Sequence, residues 1–99
     1  MLKSTALLTD RYELTMVQAA RRSGLAERNC VFEVFSRQVP AGRRYGVVAG
    51  TGRLLDEIKE FRFGTEELEW LAAAKVVDTE TIDYLANFKF TGDIWGYRE

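Results

Sequence analysis

The sequence predicts an α+β fold in one small domain, and three observations carry that expectation. Residues 30–52, CVFEVFSRQVPAGRRYGVVAGTG, concentrate the β-branched and aromatic types that suit a pleated, half-buried surface. The segments on either side carry apolar residues at helical spacing. Cap-forming residues and a glycine mark the ends of those segments. A chain of 99 residues makes at most one small domain, so residues 1–99 are read as a single unit.

The first helix follows Leu7 and Leu8. Thr9 or Asp10 is placed to cap it, and Glu13, three residues after Asp10, is placed to reach back as in a capping box. Leu14, Val17 and Arg21 share one stripe, with Tyr12, Met16 and Ala19/Ala20 on a neighbouring one. Gly24 stands where helices commonly end. Asp10 has a plain structural role as a cap. Tyr12, in the first turn, has none beyond half-burial with a wet hydroxyl.

The 30–52 stretch reads as strand, loop, strand. Pro40, the only proline, and Gly42 fall between the two runs, where a turn belongs. Alternation puts Val31, Glu33, Phe35, Arg37 and Val39 on one face and Phe32, Val34, Ser36 and Gln38 on the other. Arg37 either snorkels to water, pairs with Glu33, or reaches into a site whose phosphate or carboxylate oxygens match its fork. Gly50-Thr51-Gly52 resembles a phosphate-binding turn at a helix start, but it lacks the further glycine or Gly-Lys-Ser/Thr of the specific motifs. Tight strand-to-helix packing explains both glycines more simply.

A second helix is expected over residues 51–61, with Leu54, Leu55, Ile58 and Phe61 as its core face. Thr65 opens a third, with Glu66 and Glu67 at its positive end and Leu68, Leu71 and Ala72 as its stripe. Asp78 or Thr79 caps a short fourth helix through Ala86. Phe88-Lys89-Phe90 alternates like a strand, Thr91-Gly92-Asp93 reads as a turn, and Ile94-Trp95-Gly96-Tyr97 begins another strand. The chain is therefore expected to be the opening part of something larger, cut inside a strand.

Composition narrows the chemistry. The hydrophobic share of 46% and charged share of 29% suit a folded soluble domain. The lone Cys30 excludes an internal disulfide, which fits a reducing, cytoplasmic setting. No apolar run approaches the ~20 residues of a membrane helix, so no membrane association is expected. With no histidine, this chain contains neither a histidine base nor a phosphohistidine. The net charge of -1 hides a basic first half and an acidic second half, a pattern that fits either an anion site or a dipolar surface. The acids between Asp56 and Asp83 read as a solvated face, without metal-ligand spacing. Arg37, Arg43, Arg44 and Arg53 bracket the loop and suit small-ligand phosphates; overall acidity argues against nucleic acid.

LLTDRYELTM at 7–16, FEVFSRQVPAGRRYGVVAG at 32–50 and TGDIWGYRE at 91–99 together resemble the amino-terminal region of nicotinate phosphoribosyltransferases, in order and in spacing. The resemblance implies an amino-terminal α+β domain whose companion, an irregular barrel, is absent from this chain. It implies the joining of nicotinate to 5-phosphoribosyl diphosphate in NAD salvage, coupled to ATP hydrolysis through a histidine. Nicotinate mononucleotide and diphosphate are the products. It implies Mg2+ and ATP as cofactors, held by no residue identifiable here, and a homodimer with sites shared between subunits. By position it makes Asp10, Tyr12 and Arg37 substrate-binding residues: Tyr12 flanking the pyridine ring and Arg37 reaching phosphates from the partner subunit. The catalytic residues are expected beyond residue 99, leaving the isolated chain inactive. The alternative is a small-ligand or partner-binding module without catalysis.

Overall fold

The structure, a computed structural model, describes residues 4–97. Residues 1–3, and Arg98 and Glu99 at the end of the last motif, lie outside the described residues. Four helices follow in order: α1 (Arg11–Arg22), α2 (Thr51–Glu60), α3 (Thr65–Ala73) and α4 (Thr79–Ala86).

Local chemistry explains where the helices stop and start. At the end of α1, the Leu25 N–H donates to the Ala20 carbonyl (2.8 Å) and the Gly24 N–H to the Arg21 carbonyl (3.2 Å). This is a Schellman motif, with Gly24 at φ +76° supplying the left-handed residue. The end of α3 repeats the pattern, Val76 N–H to Leu71 carbonyl and Lys75 N–H to Ala72 carbonyl. There the left-handed residue is Lys75, φ +54°. Asp78 caps α4 by accepting the Thr81 N–H at 2.8 Å. Glu67 reaches back to accept the Gly64 N–H ahead of α3 (2.7 Å), which is one half of a capping box, since Gly64 has no side chain.

The core is helical. Leu14 of α1, Leu71 of α3, Leu85 of α4, and Val76 and Val77 between α3 and α4 form one buried cluster, flanked by Leu7, Val17, Phe63, Leu68, Ile82 and Tyr84. Phe61, Phe63 and Phe88 meet edge to face at its side, with centroids 5.5–6.3 Å apart. A polar seam binds α1 to α4. The Gln18 Oε1 accepts the Asp78 N–H (2.6 Å). The Arg21 guanidinium donates to Thr81 Oγ1 (3.2 Å) and lies 5.6 Å from the Tyr84 ring centre. Arg22 donates to Asp78 (2.8 Å). Positions 18, 21 and 22 lie on one side of α1, so the Arg21 stripe read from the sequence points at α4.

The remaining chain does not join this unit. Among the described residues there is no strand, so the β part of the sequence-based α+β fold class is not confirmed. Residues 27–50 are exposed throughout. The expected turn is present, the Arg43 N–H donating to the Pro40 carbonyl (3.0 Å), but the flanking runs do not pair across it. A helix closes its own hydrogen bonds, whereas a strand needs a neighbour, and a lone hairpin with no layer beneath it is marginal. The expected core face of α2 is corrected in part: Ile58 and Phe61 are partly buried, Phe61 against Phe63 and Phe88, but the two leucines are not. Leu54 and Leu55 are 48% and 43% exposed, and α2 packs on none of the other helices among the described residues.

Surface area measures the consequence. A compact monomer of this mass exposes about 5,700 Å², but the chain exposes 9351 Å². Its radius of gyration is 16.2 Å, against about 12.6 Å for a compact domain of this length. Much apolar surface is thus left without cover.

Candidate functional site

Tyr12 sits in the first turn of α1, on the side away from Leu14 and Val17. It is 59% exposed, and Met16, one turn on, is 60% exposed. The core-facing residues hold the helix while Tyr12 projects its ring outward. Its carbonyl accepts the Thr15 hydroxyl at 3.0 Å.

Asp10 occupies the N-cap position, with extended backbone (φ −78°, ψ 147°), but its side chain makes no cap hydrogen bond. The capping box with Glu13 read from the sequence is therefore not formed. The helix start is defined by the Glu13 N–H donating to the Asp10 carbonyl (3.2 Å). The Asp10 carboxylate is left exposed at the positive end of α1, two residues before Tyr12.

Arg37 lies on the uncovered 27–50 segment and is exposed. Among the described residues it makes no hydrogen bond or ion pair, so the pairing with Glu33 is not formed. No bond links it to Asp10 or Tyr12 either. The structure thus keeps Asp10 and Tyr12 together on α1 and leaves Arg37 separate.

Of the basic set, Arg43 and Arg44 line an open hollow of about 590 Å³ with Gly42, Tyr45, Gly46 and Val47; Arg37 and Arg53 do not line it. Gly50 begins α2 with φ +93°, a conformation that disfavours a side chain. A Cβ at Gly50 or Gly52 would meet nothing within 4 Å. The expectation of tight strand-to-helix packing there is corrected, and backbone conformation accounts for Gly50.

A second hollow, about 540 Å³, lies beside the α1–α4 seam, lined by Gln18, Arg22, Lys75, Asp78, Thr79 and Ile82 among others. Sequence reasoning assigned Asp78 only as a cap. Bonds from the Thr81 side chain and N–H, with Arg22 beside it, lower the Asp78 carboxyl to about 2 against ordinary burial. These polar groups serve the helix contact. The i, i+3, i+4 spacing of Gln18, Arg21 and Arg22 was the signal for it.

Among the described residues no group of three or more histidine, cysteine, aspartate or glutamate side chains fits a metal ion. No helix there is long and apolar enough to cross a membrane. Cys30 is free and exposed.

Residues 7–99 match the family model of the nicotinate phosphoribosyltransferase N-terminal domain. The chain is 57% identical over 93 residues to the nicotinate phosphoribosyltransferase pncB1 of Mycobacterium tuberculosis, covering 94% of this chain and 20% of that protein. It is 40% identical over 97 residues to pncB2 of the same organism, covering 95% and 20%. It is 32% identical over 74 residues to the human nicotinate phosphoribosyltransferase, covering 75% and 14%. The chain thus spans about a fifth or less of the length of these relatives. No solved structure matches it.

Proposed function

The chain belongs to the nicotinate phosphoribosyltransferase N-terminal domain family, and on that premise we propose that it forms the opening part of an enzyme of NAD salvage. The complete enzyme joins nicotinate to 5-phosphoribosyl diphosphate, with ATP hydrolysed, giving nicotinate mononucleotide, diphosphate, ADP and phosphate. The observation that carries the reading is the 57% identity across 94% of the chain. This part binds substrate and holds no catalytic residue.

Tyr12 offers its ring to the electron-poor pyridine, held by a helix that the core anchors. Asp10, its carboxylate not engaged as a cap, lies at the same helix start and helps set the site's polarity. Arg37 grips phosphoryl oxygens with its two-pronged guanidinium, in a site shared across a cytoplasmic homodimer. Its separation from α1 is compatible with Arg37 serving the partner's site. ATP and Mg2+ are supplied by the complete enzyme. The described residues offer no cluster that fits a metal, and no step here runs through one.

The test is a mass-spectrometric assay with nicotinate, phosphoribosyl diphosphate, ATP and Mg2+. The protein from the complete reading frame should form nicotinate mononucleotide, and the 99-residue chain should form none. Failure of the complete protein to turn over, or turnover by the short chain above a no-enzyme control, overturns the reading.

A further inference from the structure

We propose that Thr81 is a positioning residue for the nicotinate site: its hydroxyl fixes the setting of α1 against α4 and, through α1, the place of the Tyr12 ring. The inference rests on the proposed stacking role of Tyr12. Thr81 has no exposed surface, yet α4 does not need its hydroxyl. The bond that caps α4 comes from the Thr81 backbone, whose N–H donates to Asp78 Oδ1 (2.8 Å), and any residue but proline supplies that group. Burying a hydroxyl costs free energy unless it is bonded, and valine would fill a similar space with no polar atom. Here the hydroxyl is bonded on both sides. It accepts from Arg21 Nη1 (3.2 Å) and donates to the Asp78 carboxylate.

The bond to Arg21 joins two helices, and that is its use. Leu14 and Val17 hold α1 on the core, but apolar contact is non-directional and resists a roll or slide of the helix only weakly. Hydrogen bonds are directional. Gln18 accepts the Asp78 N–H (2.6 Å), Arg21 donates to Thr81, and Arg22 donates to Asp78 (2.8 Å). Thr81 is the member that links the Arg21 bond to those of Asp78. Among the described residues no buried side-chain oxygen or nitrogen lacks a partner, and a fully bonded network of this kind specifies one arrangement. Tyr12 needs such a hold. Its ring is 59% exposed, and the Asp10 side chain does not cap the helix start beside it. Gln18 and Arg21 lie further along α1, about 9 and 14 Å from Tyr12 at ~1.5 Å per residue. A ring carried about 6 Å from the axis moves about 1 Å for a roll of about 10°. Misplacement on that scale weakens an oriented contact.

Steady-state kinetics of the complete enzyme test this with Thr81→Val, which keeps the shape and removes the hydroxyl. The KM for nicotinate should rise by roughly threefold to tenfold, and by no more than Tyr12→Ala raises it, since only the placement of that ring is at stake. The KM for phosphoribosyl diphosphate should be unchanged, and Thr81→Ser should restore the wild-type value for nicotinate. In a Tyr12→Ala background Thr81→Val should add nothing, because its effect passes through the ring. Val76→Ala controls for stability. It truncates a core residue whose side chain makes none of these bonds, and should lower the urea midpoint without moving either KM. If Thr81→Val does not fold, Arg21→Met removes the same bond from its half-buried donor and should show the same shift. The proposal is overturned by an unchanged KM in folded Thr81→Val, or in Arg21→Met where that variant stands in. An equal rise in Val76→Ala overturns it, as do multiplicative effects in the double variant. An inactive complete enzyme, or a Tyr12→Ala variant with the wild-type KM, removes the reading of Tyr12 and this inference with it. A raised KM in Tyr12→Ala beside an unchanged one in Thr81→Val removes this inference alone.

Discussion

Leu71 is the side chain on which the helical unit depends most, and Leu71→Ala is the decisive perturbation. It has no exposed surface and sits among Leu14, Val76, Val77 and Leu85. Truncation removes roughly 2 kcal/mol of transfer free energy at ~0.8 kcal/mol per methylene. The cavity left behind brings the cost to about 2–5 kcal/mol. Domains ordinarily have a total of about 5–15 kcal/mol. This chain exposes 9351 Å² where a compact one would expose about 5,700 Å², so its own total belongs at or below the bottom of that range. One substitution therefore removes a large part of the stability or all of it. Far-UV circular dichroism during urea titration of the short chain should show the helical signal lost at 25 °C. If a transition survives, its midpoint should fall by about 1–2 M for an m-value of roughly 1–3 kcal/mol/M. Trp70→Ala is the control. Trp70, next in sequence to Leu71, is 56% exposed, and its truncation should cost under about 1 kcal/mol. The reasoning fails if Trp70→Ala destabilises the helices as much as Leu71→Ala, since the buried face of α3 would then be the wrong one.

Lys75 holds a left-handed conformation (φ +54°) at the end of α3, so Lys75→Gly should stabilise the helical unit by about 1 kcal/mol in the same titration; an unchanged or lower midpoint would refute the strain. Asp78 titrates at about 2 in the folded chain against 3.8 ordinarily. Its stabilising effect is present above pH 3.8 and is lost as pH falls through about 2. Helicity should decline over that window in wild type and less in Asp78→Asn, with added salt weakening the difference because the pair with Arg22 is partly exposed. In the complete enzyme Tyr12→Ala should raise the KM for nicotinate, about tenfold for each ~1.4 kcal/mol of stacking lost, while Tyr12→Phe changes little. Arg37→Lys keeps the charge but loses the fork, and should weaken phosphoribosyl diphosphate more than nicotinate; wild-type constants in both folded variants would end their substrate roles.

The positions of all four helices were legible in the sequence, because the signals that set them act within a few residues. α1 ends where the Gly24 N–H bonds a carbonyl three positions back and the Leu25 N–H one five positions back, and Asp78 starts α4 through the N–H three positions ahead. The Leu14, Val17 and Arg21 stripe likewise identified the side of α1 that meets α4. Of the candidate site residues, Tyr12 is an outward ring, 59% exposed, and Arg37 makes no hydrogen bond or ion pair among the described residues. Asp10 showed where local reading stops, since a capping sequence is an opportunity and its carboxylate does not take it. The strands showed the larger limit. β-propensity in residues 30–49 states what a segment would suit, but a hairpin ladder holds only where a further layer or strand covers it. The apolar stripe of α2 has the same status: periodicity identifies a face to bury, and only the tertiary structure decides whether anything lies against it. Leu71 and Leu54 have similar sequence signals on neighbouring helices. One has no exposed surface and the other is 48% exposed, because burial is a property of the neighbours that reach a side chain.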